Sequence, residues 1–255
     1  MKTIELYKYL NDAIPSSLSC DWDNDGLMCS GDTEKEVKKV LIALDITEKV
    51  VEKAANEGFD VIISHHPMIF KKIGAVEPTV ASAKKAITLI KNDISAMSFH
   101  TRLDALTGGV NDVLCKKIGI KNALPFGPAD EEMGRIGTLD TPMELDDFCK
   151  NLKNALGAPF VLASSCGKKV HKVALLGGDG KDFAGAAIMS GADTYISGRI
   201  SYNIMVDAPE MGINLIEAGH YFTEAPVCEF LSELVKKADE KIQTEIFNSN
   251  EIKVI

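Results

Sequence analysis

Short apolar runs alternate with amphipathic segments along the first part of the chain. Residues 40–45 and 59–63 are apolar runs of strand length, and residues 47–56 between them have apolar positions at helical spacing. Thr47 is a favourable N-cap for this helix, and Gly58 is placed to end it. The pattern predicts a β-α-β unit with a parallel sheet.

Patterns of the same kind predict further elements along the chain. The helices are expected over residues 3–14, 81–92, 108–117 and 145–156, and the strands over residues 94–99, 134–139, 160–163 and 213–218. This alternation of helices and strands favours the α/β class, with three layers and mostly parallel or mixed sheets.

A change of composition near the middle of the chain indicates a domain boundary. The residues that are typical of a linker there are Pro125, Gly127, Pro128 and Ala129. The sequence therefore predicts two α/β domains, a first one of residues 1–126 plus 218–255 and a second one of residues 127–217.

The two predicted domains are related by an internal repeat with a constant offset of 133 residues. The matching pairs are Lys39 with Lys172, Gly58 with Gly191, and Ser64 with Ser197. A second pair of matches places His100-x-x-x-Asp104 and His220-x-x-x-Glu224 after apolar strands. Two ordered matches favour a duplicated half over the general similarity of β-α-β units.

Histidines follow the predicted strands. His65 and His66 come directly after residues 59–63, and Pro67 ends that strand because it cannot donate to a sheet. Successive strand side chains alternate in direction, so two adjacent imidazoles can serve two metal ions. Helix-capping or core histidines are the alternative for this pair, and a core histidine is the alternative for His100.

Carboxylates at helical spacing from histidines favour the metal interpretation. If the two copies of the repeat face each other, six donors converge on one cleft: His65, His66, His100, Asp104, His220 and Glu224. This set is too large for one tetrahedral ion and suits two ions about 3.5–4 Å apart. Nitrogen and oxygen donors fit Zn, Fe, Mn or Ni.

Composition limits the classes of function and location. The net charge of -9 opposes general binding to nucleic-acid backbones. No apolar run reaches the roughly 20 residues of a membrane span, and the first residues are too charged for a signal peptide. The six cysteines are scattered without a Cys-x-x-Cys pair, which is typical of reduced thiols in a cytoplasmic protein.

The only tryptophan, Trp22, lies in a segment of Asp, Asn and Gly residues that predicts a turn. We expect a loop that is anchored by a buried indole. A role of this loop in bracing a metal site is left open.

Six motifs occur together and in order along the chain. They are Trp22-Asp23-Asn24-x-Gly26-Leu27, Ser64-His65-His66-Pro67, His100-Thr101-x-Leu103-Asp104-Ala105, Gly108-Gly109-Val110-Asn111-Asp112, Gly134-Arg135-Ile136-Gly137 and Ala218-Gly219-His220-x-x-Thr223-Glu224. With this combination the chain resembles, nearly end to end, the hexameric proteins with dinuclear metal centres that are known as GTP cyclohydrolase 1 type 2 homologues. This is the NGG-interacting-factor-like family, in its short form without an inserted domain.

The resemblance implies a toroidal homohexamer of two-domain subunits, with two divalent transition-metal ions per chain. The implied metal ligands are His65, His66, Asp104, His220 and Glu224, with Glu224 bridging the ions. His100 matches a position close to the metals. His100 and Glu224 are the candidates for proton transfer in catalysis.

The chain departs from the family pattern at three positions. Arg199 stands where an acidic residue is common, Arg102 where Asn is common, and Asp25 where an apolar or small residue is common. Arg102 and Arg199 are therefore candidate contacts for an anionic substrate. An ion pair with Asp207 or Glu217 is the structural alternative for Arg199.

The function that the resemblance implies is a dinuclear metal-dependent hydrolase that acts on a nucleotide or a related small anionic substrate. Lys71 and Lys72 are further candidate phosphate contacts, with solvated surface charge as the alternative. The alternative from another class is a metal-loaded hexameric scaffold or regulatory protein without turnover. A metal ion with an open coordination position would favour the enzyme. Metal ions ligated only by protein side chains would favour the scaffold.

Overall fold

The computed structural model describes residues 1–128 and 131–255, and this part of the chain forms two compact units. The first unit comprises Met1–Leu103 and Val227–Lys253, and the second comprises Asp104–Pro226 and Val254–Ile255. Each unit combines one β-sheet with helices, so the α/β class predicted from the sequence is confirmed.

The first unit contains a five-stranded sheet in the order β1-β4-β3-β2-β11. Its strands are β1 (Gly26–Cys29), β2 (Lys39–Ala43), β3 (Val61–Ser64), β4 (Ser95–Ser98) and β11 (Gln243–Ile246). Its helices are α1 (Thr3–Ala13), α2 (Glu48–Glu57), α3 (Ala81–Lys91) and α10 (Val227–Ala238), with a 3-10 turn at Ser16–Leu18. All pairs in the sheet are parallel except that of the edge strand β1 with β4.

The β2-α2-β3 segment follows the predicted pattern. The Thr47 hydroxyl accepts a hydrogen bond from the Val50 N–H at 3.3 Å, and Gly58 ends α2 in the left-handed conformation at φ 68°. Apolar side chains from α2, α3 and the strands pack into one buried cluster, in which Val50, Ile62 and Leu89 are fully buried. These contacts fix the carboxyl ends of β2, β3 and β4 at one edge of the sheet.

The second unit contains a six-stranded sheet in the order β5-β6-β8-β9-β10-β7. Its strands are β5 (Lys121–Phe126), β6 (Gly134–Met143), β7 (Leu162–Ser164), β8 (Val170–Asp179), β9 (Thr194–Arg199) and β10 (Asn214–Glu217). Its helices are α5 (Val110–Ile118), α6 (Leu145–Leu156), α7 (Ala184–Met189), α8 (Tyr202–Asp207) and α9 (His220–Glu224), with 3-10 turns at Lys181–Phe183 and Ala208–Met211. The short helix α4 (Thr101–Ala105) contains the point at which the chain passes from the first unit to the second.

The internal repeat corresponds to equivalent hydrogen bonds in the two sheets. Asp60 accepts backbone hydrogen bonds from Lys38 and Lys39, and Asp193 accepts them from His171 and Lys172 at the same offset. In each unit this carboxylate lies before the second strand of a β-α-β segment and holds the start of the first. The repeat is therefore a repeat of local structure as well as of sequence.

The unit boundaries differ from the predicted domain boundaries at 126 and 217. β5 pairs with β6 in the second sheet, so residues 121–126 and the whole of α5 belong to the second unit. Pro125 lies inside β5 instead of in a linker, which an edge strand tolerates because its outer N–H groups need no partner. Ala129, the last residue of the predicted linker, lies outside the described residues.

The six cysteines have free thiols, as the sequence predicts. Burial raises the pKa of the Cys115 and Cys228 thiols to about 12, and those of Cys29 and Cys149 to about 11. Four of the six thiols are thus neutral at pH 7. In the part of the chain that the structure describes, we find no helix with the length and apolarity that a membrane span requires.

Candidate metal centre

Three imidazoles lie together at the edge of the first sheet. His65 and His66 follow β3, and His100 follows the parallel neighbour β4, whose Ser98 is in register with Ser64. One ring nitrogen of each imidazole lies within 4.8 Å of the others. The ring centroids are 5.0–5.8 Å apart. This cluster, His65, His66 and His100, is called the histidine triad below.

Each imidazole of the histidine triad is held through Nδ1. The acceptors are the carbonyl of Phe99 for His65 at 2.9 Å, Asp45 for His66 at 2.7 Å and Asp23 for His100 at 2.8 Å. A carbonyl or carboxylate oxygen cannot donate, so Nδ1 carries the proton and the lone pair is on Nε2. Metal-binding histidines are commonly held in this way, with one ring N–H donated to a carbonyl or carboxylate, and the donor set fits a divalent transition-metal ion.

Asp23 is the most constrained of these acceptors. Burial by itself would raise the pKa of its carboxyl, but hydrogen bonds from His100 and Thr101 outweigh it and hold the pKa well below its usual range. The bonds from Thr101 are 3.0 Å from N–H and 2.6 Å from the hydroxyl. The carboxylate therefore stays ionised and fixes the His100 tautomer.

The remaining predicted ligands belong to the second unit, where His220 and Glu224 lie one turn apart on α9. Nε2 of His220 is 2.9 Å from Oε2 of Glu224, and the Glu224 side chain is buried. The six donors predicted from the sequence are thus divided equally between the units, with Asp104, His220 and Glu224 in the second.

Glycines at the ends of β8 and β9 allow α9 to approach the sheet closely. A Cβ on Gly178, which has φ +70°, would lie 2.1 Å from Oε1 of Glu224. A Cβ on Gly198 would lie 2.7 Å from the Cα of His220. The Gly178 N–H also donates to Oγ1 of Thr223 at 3.1 Å. Gly178 was not predicted to have this role, although two adjacent glycines at the end of β8 are a signal of close backbone approach.

Asp104 lies on α4 in the second unit and is buried. Its carbonyl accepts a hydrogen bond from the Asn111 amide at 3.2 Å, and the amide oxygen of Asn111 accepts one from the Gly177 N–H at 2.8 Å. Asn111 therefore links the segment of Asp104 to the end of β8. This gives Asn111, in the Gly-Gly-Val-Asn-Asp motif, a structural role in fixing a predicted ligand.

Arg102 does not fit the substrate-binding role expected from the sequence. Its side chain is buried, Nε donates to Asp25 at 2.8 Å, and Nη1 donates to Asn11 and to the Ile14 carbonyl. The guanidinium also lies 4.7 Å from the centre of the Phe99 ring. Two departures from the family pattern, Arg102 and Asp25, thus form one buried ion pair, and their joint occurrence was the signal that could have indicated it.

Arg199 ends β9 and is exposed, and no ion pair involves it within residues 1–128 and 131–255. Glu217, one of its two suggested partners, instead accepts a hydrogen bond from the Ile200 N–H at 2.7 Å. A contact between Arg199 and an anionic substrate stays a prediction.

Trp22 is 59% exposed, so the prediction of a buried indole was wrong. Its ring is instead edge-on to two neighbours, with centroids 6.2 Å from Phe70 and 6.3 Å from His100. The hydrogen bonds of Asp23 and Asn24 hold the loop in place, so the indole is not needed as an anchor.

Comparisons with known proteins identify relatives of this chain. The chain is 36% identical over 242 residues to the GTP cyclohydrolase 1 type 2 homolog of Clostridium perfringens, which covers 93% of this chain and 92% of that protein. It is 32% identical to the protein of the same name from Methanocaldococcus jannaschii, over 88% of this chain and 90% of that one.

Solved structures show the same fold. A Bacillus cereus protein related to NIF3 matches with a TM-score of 0.89 and 23% identity, over 100% of this chain and 99% of that one. Reduced HcgD from Methanocaldococcus jannaschii matches with a TM-score of 0.83 and 28% identity, over 96% and 97% of the two chains. The family model Duf34/NIF3 (NGG1p interacting factor 3) matches residues 1–253, and the chain belongs to that family.

Proposed function

We propose that this protein is a dinuclear metal-dependent hydrolase that acts on a nucleotide or a related small anionic substrate. The observation that carries the proposal is the histidine triad, in which every Nδ1 is fixed by a carbonyl or carboxylate oxygen. The name shared by the relatives, GTP cyclohydrolase 1 type 2 homolog, supports a nucleotide as the substrate class.

We propose His65, His66, Asp104, His220 and Glu224 as the ligands of about two divalent ions, with Glu224 between them. Such ions, when bound, lower the pKa of a coordinated water so that hydroxide is present at neutral pH. Zn, Fe, Mn and Ni all suit this mixture of imidazole and carboxylate donors. The carboxylate of Glu224 offers two oxygens, which is what a bridging ligand requires.

The other residues hold and orient these groups. The hydrogen bonds from His66 to Asp45 and from His65 to the Phe99 carbonyl place the proton on Nδ1. Nε2 of each ring is therefore the atom that can bind a metal ion. His100 is the candidate for moving a proton, because the Asp23 carboxylate lies 2.8 Å from its Nδ1 and compensates the positive charge when Nε2 accepts one. Arg199 is the candidate contact for the phosphates of the substrate.

A nucleotide-hydrolysis screen on the metal-loaded protein tests this function. Wild type should convert GTP or a related nucleotide, and His100→Ala should slow that conversion by about 100-fold or more. His171→Ala is the matched control, since His171 lies in the second unit outside the predicted ligands. Metal binding without conversion of any nucleotide would contradict the enzyme and favour the alternative, a metal-loaded scaffold or regulatory protein.

We also propose the toroidal homohexamer that the family resemblance implies. Its subunit mass is 27.6 kDa, and light scattering at micromolar concentration should give about six times that value. A monomer under these conditions would contradict it.

A further inference from the structure

Two exposed aromatic side chains lie beside the histidine triad in the first unit. Trp22 is 59% exposed and Phe70 is 46% exposed, and their ring centroids are 6.2 Å apart. Both rings are edge-on to His100, at 6.3 Å and 6.0 Å. Trp22 and Phe70 are called the aromatic platform below.

Hydrogen bonds fix the chain on both sides of Trp22. Asp23 accepts hydrogen bonds from His100 and Thr101, and the Cys20 N–H donates to the Thr101 hydroxyl at 3.0 Å. The amide of Asn24 donates to the carbonyl of Ile69, the residue that precedes Phe70. The two loops of the platform are therefore joined to each other and to the histidine triad, while both rings remain accessible to solvent.

Positive charge lies next to the aromatic platform. Lys71 and Lys72 directly follow Phe70, both are exposed, and neither forms an ion pair with any residue of the described part of the chain. In a protein with a net charge of -9, this local pair of cations suits an anionic ligand. Proteins that bind single-stranded nucleic acids combine aromatic rings, on which the bases stack, with nearby positive charge.

We propose that the planar heteroaromatic ring of the substrate, a nucleobase or a ring of similar chemistry, stacks on one ring of the aromatic platform and meets the other at its edge, because Trp22 and Phe70 are themselves inclined at 76°. The inference rests on the proposed function in so far as it places that ring beside the histidine triad. The edge contacts of both aromatic rings with His100 put the stacked ring next to the proposed ligands. The platform is thereby a determinant of substrate class, and it selects compounds with a heteroaromatic ring over simple sugar phosphates.

The single tryptophan makes this inference directly measurable. Trp22 fluorescence is followed during titration with guanosine, GTP and ribose 5-phosphate, on metal-free and on zinc-loaded protein. Guanosine and GTP should quench the fluorescence, and ribose 5-phosphate should not. Absence of quenching by guanosine up to its solubility limit would overturn the proposal.

Variants of the aromatic platform distinguish the loss of stacking from the general effect of removing an exposed aromatic side chain. Calorimetry should show that Phe70→Leu and Trp22→Leu bind guanosine about 5- to 100-fold more weakly. The matched control is Tyr202→Leu, which removes an aromatic side chain of the second unit that is 85% exposed. Unchanged guanosine affinity in both platform variants, or equal loss in the control, would contradict the platform. A change of molecular mass by light scattering without a change of affinity would assign the platform to contact with a second copy.

Metal content and nucleotide conversion, measured on the same samples, distinguish a failure of the aromatic platform from a failure of the proposed function. If wild type binds metal and converts nucleotides while the platform variants do so equally well, the platform is wrong and the proposed function stands. If wild type binds no metal and converts nothing, the proposed function fails, and guanosine binding to metal-free protein still decides the platform.

Discussion

At the scale of single residues, the side chains behind the imidazoles decide what the histidine triad can do. His65, His66 and His100 have the same donor atom, and each depends on a different oxygen to present it. Asp23 differs from the other two acceptors because it also binds the N–H and hydroxyl of Thr101. Replacing Asp23 therefore tests the orientation of His100 without removing the imidazole.

Asp23→Asn should slow nucleotide conversion by the metal-loaded protein by about 10-fold or more, because an amide compensates less positive charge on His100 and can present the wrong atom to Nδ1. The rate of conversion is the measurement. Asp21→Asn, on an exposed carboxylate of the same loop, is the control. Equal rates for wild type and Asp23→Asn would show that this contact does not tune His100.

The lowered pKa of Asp23 also predicts how stability depends on pH in the presence of a chelator. A carboxyl whose folded-state pKa is depressed stabilises the native state above its unfolded value of 3.8, and this contribution is lost as the pH falls below that value. The melting temperature of wild type should exceed that of Asp23→Asn at pH 5 and above. The difference should narrow below pH 3.8. A difference that grows as the pH falls below 3.8 would contradict the assignment.

The buried pair of Arg102 and Asp25 predicts strongly coupled substitutions. Arg102→Asn alone leaves a buried carboxylate without its cation and should cost about 3–5 kcal/mol of unfolding free energy. Asp25→Ala combined with Arg102→Asn removes both charges and should recover at least about 1 kcal/mol of that loss. Urea unfolding of both single variants and the double variant completes the double-mutant cycle. Strictly additive changes in unfolding free energy would refute the ion pair.

At the scale of elements, glycines set how closely α9 can lie against its sheet. Gly178→Ala would place a Cβ 2.1 Å from Oε1 of Glu224 at a φ of +70°. The substitution should destabilise the protein by about 1–3 kcal/mol and displace Glu224, because both the clash and the left-handed backbone oppose a side chain. Thermal unfolding and metal content are the measurements.

Gly185→Ala is the matched control for that substitution. Gly185 lies in α7 with nothing within 4 Å of the added Cβ, so alanine there should stabilise the protein by up to about 1 kcal/mol. Equal effects of the two substitutions would show that α9 does not need the close approach.

The elements that could be predicted from the sequence are those whose signals lie within a few residues. Thr47 and Gly58 mark both ends of α2, and the apolar runs of β2 and β3 place His65 and His66 at a strand end. Contacts between distant segments could not be predicted in this way. Arg102 and Asp25 are 77 residues apart, and the exposure of Trp22 depends on hydrogen bonds that hold its loop to Thr101 and Ile69.

At the scale of the whole molecule, the repeat accounts for the division of the predicted donors. In each copy of the repeat a short helix follows a strand, α4 after β4 and α9 after β10, and each of these helices carries a carboxylate. The copies diverge at the preceding strand end, where the first has His65 and His66 and the second has Gly198 and Arg199. Of the predicted donors, the first unit holds three imidazoles, and the second holds His220 and the carboxylates of Asp104 and Glu224.

Elemental analysis of protein purified without added metal is the most direct test of the dinuclear metal site. Wild type and the control His171→Ala should hold about two transition-metal ions per chain. The variant with His65→Ala, His66→Ala and His100→Ala should hold none while it retains the wild-type circular dichroism spectrum. Undiminished metal content in this triple variant, or a wild type that neither contains nor takes up zinc, would contradict the account.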